Sequence, residues 1–63
     1  MTSPNTVAVL PAFNEAKTIG TQVRSLLPLV STVIVVDDRS TDDTARTAGD
    51  AGAFVVRHEK NTG

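Results

Sequence analysis

Three short aliphatic runs set the rhythm of the chain: TVAVL (Thr6–Leu10), TVIVVD (Thr32–Asp37) and AFVVR (Ala53–Arg57). Each is rich in valine or other aliphatic residues, about a strand in length, and bounded by turn-type residues, so each predicts a β-strand. None alternates cleanly between apolar and polar. A strand that is apolar on both sides belongs in a sheet covered on both faces, which points to parallel pairing.

The intervening segments have a different period. In NEAKTIGTQVRSLLPLV the apolar residues Ala16, Ile19, Val23, Leu26, Leu27 and Val30 recur at the spacing of one helix face. Asn14 is placed to cap its start, Glu15 favours the positive first turn, and Pro28 ends the helix or kinks its last turn. Gly20 costs about 1 kcal/mol relative to alanine inside a helix, which suggests a close approach to the sheet. In RSTDDTARTAGDAG, Ser40 and Asp43 have the spacing of a capping box, and Asp42 and Asp43 are expected in the first turn. Ala45 and Ala48 give a small-residue face, Asp42 and Arg46 are one turn apart, and Gly52 or Gly49 ends the helix in a left-handed residue.

The order strand, helix, strand, helix, strand with short connections predicts an α/β chain. The expected fold is the βαβαβ half of a Rossmann-like, doubly wound parallel sheet with strand order 3-2-1 and both helices on one face. Such a half leaves the second face of an apolar sheet uncovered. Further chain, or association into a homo-oligomer, would be needed to hide that face.

With 63 residues, there is room for one domain near the lower size limit for independent folding. The chain has no cysteine, so neither a disulfide framework nor a cysteine-based zinc site adds stability. Six Lys and Arg against seven Asp and Glu, a net charge of -1, argue against nucleic acid or an anionic membrane as partner. The longest aliphatic run is far short of the roughly 20 residues a membrane span requires, and MTSPNT lacks the features of a signal peptide. A cytoplasmic location is the expectation.

In an open parallel sheet, ligands bind beyond the carboxyl ends of the strands. PAFNE follows the first run there, and DDRS the second. PAFNE read plainly is a turn and a helix cap, but Phe13 beside Glu15 also suits a planar ring and its ribose, through stacking and hydroxyl binding. Phe13 is equally compatible with a core position under the sheet edge. Asp37 and Asp38 could solvate a strand end, yet adjacent strand residues project to opposite sides. One can therefore accept hydrogen bonds from a base or ribose while the other braces the loop. His58, the single histidine, reads as solvent-exposed. A glycine-rich dinucleotide turn and a P-loop are both absent after the first run.

VAVLPAFNEAKTI, then VIVVDDRSTDDT, then NTG resembles the N-terminal nucleotide-binding half of the family 2 glycosyltransferases. These are GT-A enzymes that include the dolichyl-phosphate mannose synthase-like group. The resemblance implies that residues 1–63 are the nucleotide-binding part of a glycosyltransferase domain, truncated inside the N-x-G motif, and that the donor is a UDP- or GDP-sugar. By motif position, Pro11, Ala12 and Phe13 would border the nucleoside, Glu15 and Asp38 would bind base or ribose, and Val36 and Asp37 would support the pocket. Phe13 stands where tyrosine is common, and Arg39 and Asp43 where glycine is frequent, which implies a stiffer second loop with a basic side chain near the ligand. The family's metal-binding D-x-D segment and catalytic base would lie further along, so a divalent Mg or Mn is implied for the family but no catalytic or metal residue for this chain. The chain alone is expected to be inactive. The alternative is a non-catalytic nucleotide-binding or self-associating module, and a plainer one is a structural α/β piece without ligand.

Overall fold

The computed structural model describes residues 5–58, so the expected NTG turn lies outside the described residues. The elements run β1 (Val7–Ala12), α1 (Ala16–Leu26), β2 (Thr32–Asp38), α2 (Thr44–Ala51) and β3 (Phe54–His58). All pairing is parallel: Val7 to Ala12 of β1 lies beside Thr32 to Asp37, and Ile34 to Asp38 of β2 lies beside Phe54 to His58. The first strand starts one residue after its aliphatic run and ends two residues beyond it, because Pro11 and Ala12 continue it. A proline without an N–H is accommodated there, since among the described residues β1 pairs on one side only.

Across the sheet the order is β1-β2-β3, which corrects the expected 3-2-1 order of a doubly wound sheet. In a doubly wound sheet the first strand is an inner one, paired on both sides. Here, among the described residues, β1 pairs with β2 alone, and both helices cover one face of the three strands. The physical cause is that each helical connection carries the chain one strand outward, leaving the first strand at the rim.

The core lies between that covered face and the helices. Ile19 and Val23 of α1, Val33 and Val35 of β2, Ala48 of α2 and Ala12 of β1 form the buried cluster. Leu10, Leu26, Leu27, Val30 and Val55 pack around it. Full burial of a valine or isoleucine contributes roughly 1.5–3 kcal/mol, and α1 supplies two of these with Ile19 and Val23. Its i, i+4 spacing turns both side chains to the same face.

Gly20 is buried, but its neighbour is the second helix rather than the sheet. A Cβ there would stand 3.3 Å from Thr47 Cγ2 and 3.2 Å from Arg24 Nη1. The glycine thus permits the close approach of α1 and α2. Leu27 lies just beyond α1 and donates its N–H to the Val23 carbonyl at 3.0 Å. Pro28 follows directly, consistent with its expected role in ending the helix.

On the opposite face of the sheet, Val7, Val9, Phe54 and Val56 are exposed, and Ile34 and Val36 are half-buried between them. The register aligns Val9 with Ile34 and Phe54, and Pro11 with Val36 and Val56. The uncovered apolar face expected from the sequence is therefore present, running across all three strands.

Gly52 ends α2 at φ 114°, in the left-handed region, with Ala53 N–H reaching back to the Ala48 carbonyl at 3.1 Å. A Cβ at this position would lie 2.9 Å from Leu27 Cδ1. Gly52→Ala is expected to destabilise the fold by about 1–2 kcal/mol, the cost of an L-residue in that conformation. Urea denaturation of the two chains checks this, and an unchanged midpoint would contradict the left-handed cap.

Candidate functional site

The loops that leave β1 and β2 at their carboxyl ends lie side by side. Each contains one residue with a positive φ other than glycine, Asn14 at 51° and Arg39 at 61°. Asparagine tolerates this region, whereas arginine adopts it less readily. At each point the chain turns sharply from strand toward helix.

Hydrogen bonds lace the two loops together. Asn14 N–H donates to Ser40 Oγ at 2.8 Å, Glu15 N–H to Thr44 Oγ1 at 2.8 Å, and Ala16 N–H to Asp42 Oδ2 at 3.3 Å. In return, Thr41 N–H donates to Asn14 Oδ1 at 2.8 Å. The start of α1 is thus satisfied from the other loop. This corrects the expectation that Asn14 caps it, since Glu15 holds the cap position without a side-chain hydrogen bond.

The second helix is also arranged differently from its sequence signature. Asp43 occupies the cap position with no side-chain hydrogen bond, and no acid lies in the first turn of α2. Ser40 is committed elsewhere, so no capping box forms with Asp43. Asp42 lies just before the helix and accepts from Thr44 N–H at 3.0 Å and from the Thr44 hydroxyl. With both oxygens engaged, Asp42 makes no ion pair with Arg46.

Asp37 and Asp38 separate as adjacent strand residues must. Asp37 points to the helix-covered face and is fully buried. Its Oδ1 accepts from Ser40 N–H at 3.2 Å and from the Ser40 hydroxyl. Its Oδ2 has no hydrogen bond, but lies 3.9 Å from Arg57 Nε. Arg57 Nη2 donates to the Ser40 carbonyl at 3.0 Å. A buried carboxylate is costly unless it is partnered, and here the partners tie the second loop to β3.

Asp38 instead lies at the open face, with 59% of its side chain exposed. Its Oδ1 is 3.5 Å from Arg39 Nε and 3.8 Å from His58 Nδ1. It faces a depression of about 270 Å³ lined by Pro11, Ala12, Phe13, Glu15 and Asp38. Five of the seven residues singled out in the sequence therefore meet in one concavity. Val36 is half-buried on β2, and Asp37 is buried on the other face; neither lines it. Phe13 is exposed rather than tucked into the core.

Sequence reasoning passed over Arg57 and His58 as partners of the acidic pair. The available signal was register: with three parallel strands ending together, the Arg57–His58 dipeptide falls opposite Asp37–Asp38. The lacing roles of Asn14 and Thr44 had no comparable signal, because each partner lies 26 to 29 residues away.

In open α/β sheets, ligands bind outside the carboxyl ends of the strands, which is where this acid and aromatic ring meet. The chain matches glycosyl transferase family 2 over residues 7–63 and belongs to that family. It is 47% identical over 55 residues to glucosyl-3-phosphoglycerate synthase of Mycolicibacterium smegmatis, covering 81% of this chain and 18% of that enzyme. It is similar to the crystal structure of the Mycobacterium tuberculosis glucosyl-3-phosphoglycerate synthase in complex with UDP. There the identity is 44% and the TM-score 0.78, covering 84% of this chain and 21% of the enzyme. Other crystal structures of the M. tuberculosis enzyme contain UDP with Mg2+, or UDP-glucose with Mn2+ and phosphoglyceric acid. The chain thus spans about a fifth of the length of these relatives.

Among the described residues, no group of three Asp, Glu, His or Cys could hold a metal ion. Asp37 and Asp38 diverge, and Asp42 is occupied by Thr44 and Ala16. These residues do not fit the divalent ion seen in the relatives.

The carboxyl of Asp42 is held below the usual carboxylate range. The Thr44 hydroxyl is the main cause, desolvation opposes it, and the Thr44 and Ala16 N–H groups reinforce it. A carboxylate with a lowered folded pKa contributes stability that is present above its unfolded value of about 3.9 and is lost as pH falls through the folded value. The stability advantage of the wild-type chain over Asp42→Asn is therefore expected to hold at neutral pH and shrink below about pH 4. Chemical denaturation across that range checks the sign, and a difference that grows on acidification would contradict it.

Proposed function

We propose that this chain forms the nucleoside side of the donor site of a nucleotide-sugar-dependent glycosyltransferase, with a UDP-sugar as donor. The observation that carries the reading is the depression bounded by Pro11, Ala12, Phe13, Glu15 and Asp38 at the carboxyl edge of the sheet. Phe13 offers an exposed ring face for stacking on a base. An ionised Asp38 accepts hydrogen bonds only, which suits the imino N–H of a pyrimidine base or the hydroxyls of its ribose. Glu15, which also lines the depression, offers the same chemistry to the remaining hydroxyls.

The volume supports a partial site. Whole small-molecule pockets measure roughly 300–1,000 Å³, and this open depression of about 270 Å³ lies just below that range. The UDP bound by the M. tuberculosis relative favours uridine over guanosine. Sugar transfer requires charge compensation of the leaving diphosphate and activation of the acceptor, which the described residues do not provide. The chain therefore binds the donor without turning it over.

A second reading, a self-associating module, draws on the exposed row of Val7, Val9, Phe54 and Val56. Sedimentation over a range of concentrations separates the two. A specific dimer that binds no nucleotide favours self-association, whereas a monomer that binds UDP favours the donor site.

UDP titrated into the chain is expected to shift the amides of Phe13 and Asp38, and to do so at lower concentration than GDP. Asp38→Ala is expected to weaken UDP binding by about tenfold or more, because a charge-assisted hydrogen bond contributes roughly 1.5–3 kcal/mol. Absence of any shift at millimolar UDP, or detectable sugar transfer by the chain alone, would overturn this account.

A further inference from the structure

We propose that Ser40 and Thr44 are positioning residues that preform the donor depression by holding its two walls at a set separation. The inference rests on reading the depression as the nucleoside site. Phe13 and Glu15 belong to the loop after β1, and Asp38 belongs to the end of β2, so the distance between ring and carboxylate depends on how the first loop is held against the end of β2 and the loop that follows it.

The two hydroxyls are used in the same way. Each donates a hydrogen bond to a carboxylate nearby in its own β2–α2 segment, Ser40 to Asp37 and Thr44 to Asp42. Each then accepts an N–H from the opposite loop, Ser40 from Asn14 and Thr44 from Glu15, both at 2.8 Å. A hydroxyl has one proton and two lone pairs. Once the carboxylate takes the proton, a lone pair is left free to meet the incoming N–H. Both side chains are buried, Ser40 at 2% and Thr44 at 0% exposure, so water does not compete for either bond.

The accepted N–H groups belong to the two residues that follow the ring in the chain. Asn14 follows Phe13 directly, and Glu15 itself lines the depression. Asn14 is also in the left-handed region at φ 51°, a conformation that the bonds to Ser40 and Thr41 hold in place. A wall fixed before the ligand arrives needs no ordering on binding, and that ordering otherwise lowers affinity.

Thr44→Val keeps the shape of the side chain and removes both its donor and its acceptor, while Thr44→Ser keeps the hydroxyl. With UDP as the probe, Thr44→Val is expected to bind about tenfold more weakly, with faster exchange of the Glu15 amide, whereas Thr44→Ser binds within about twofold of wild type. A folded Thr44→Val chain with wild-type UDP affinity would overturn the positioning role, as would a Thr44→Ser chain as weak as Thr44→Val.

The wild-type chain gives a further measurement that does not depend on whether the variant folds. Before UDP is added, the Asn14 and Glu15 amides should already exchange slowly. Fast exchange that slows only with UDP would sink the proposal, because the ligand would then be ordering the loops. If wild type shows slow amides but no UDP binding, the nucleoside reading fails and takes this inference with it; slow amides identify the site's chemistry as the point of failure.

Discussion

The joining of two loops through a pair of buried hydroxyls is the constraint on which the ligand end of this molecule depends. The first turn of a helix always presents N–H groups with no partner inside the helix. In α1 the Ala16 N–H is met by Asp42, and the N–H groups of Asn14 and Glu15 just before the helix are met by Ser40 and Thr44. The helix start and the second loop therefore cannot be placed independently. Whatever fixes one fixes the other, and the residues of the depression are distributed between them.

Charge is handled by the same economy of partners. The buried carboxylate of Asp37 would be untenable alone, and it is stabilised by Ser40 and by the Arg57 guanidinium from the neighbouring strand. Its sequence neighbour Asp38 turns to the opposite face, where Arg39 and His58 stand nearby without burying it. Two identical side chains, adjacent in sequence, thus take different work because a strand directs them to different sides of the sheet. One holds the loop and the other stays exposed at the edge of the depression.

The sheet is finished on one side only. The helices bury Val33 and Val35 completely, while Val9 and Phe54 remain open on the reverse. Each strand contributes side chains to both faces, so aliphatic residues on the uncovered face make sense only in a setting that covers them. That the chain spans about a fifth of the length of its relatives is in keeping with such a sheet.

Local chemistry determined the elements. Aliphatic runs of strand length, helical spacing in Ile19 and Val23, and a glycine able to take φ 114° act over a few residues and were legible in order. The family motifs likewise marked Pro11, Ala12, Phe13, Glu15 and Asp38, which meet in one depression. Capping was misread, because a serine or asparagine near a helix start can bond locally or across a gap, and spacing does not distinguish the two. Only the folded chain decides that Ser40 turns to Asn14 and Asp37, that Thr44 turns to Glu15, and that Arg57 and His58 arrive opposite the acidic pair. The strand order β1-β2-β3, with β1 at the rim, is equally a property of how the strands pair. Apart from the local Ser40–Asp37 bond, these contacts join residues far apart in the chain, and their geometry exists only once the parallel register has brought the strand ends level.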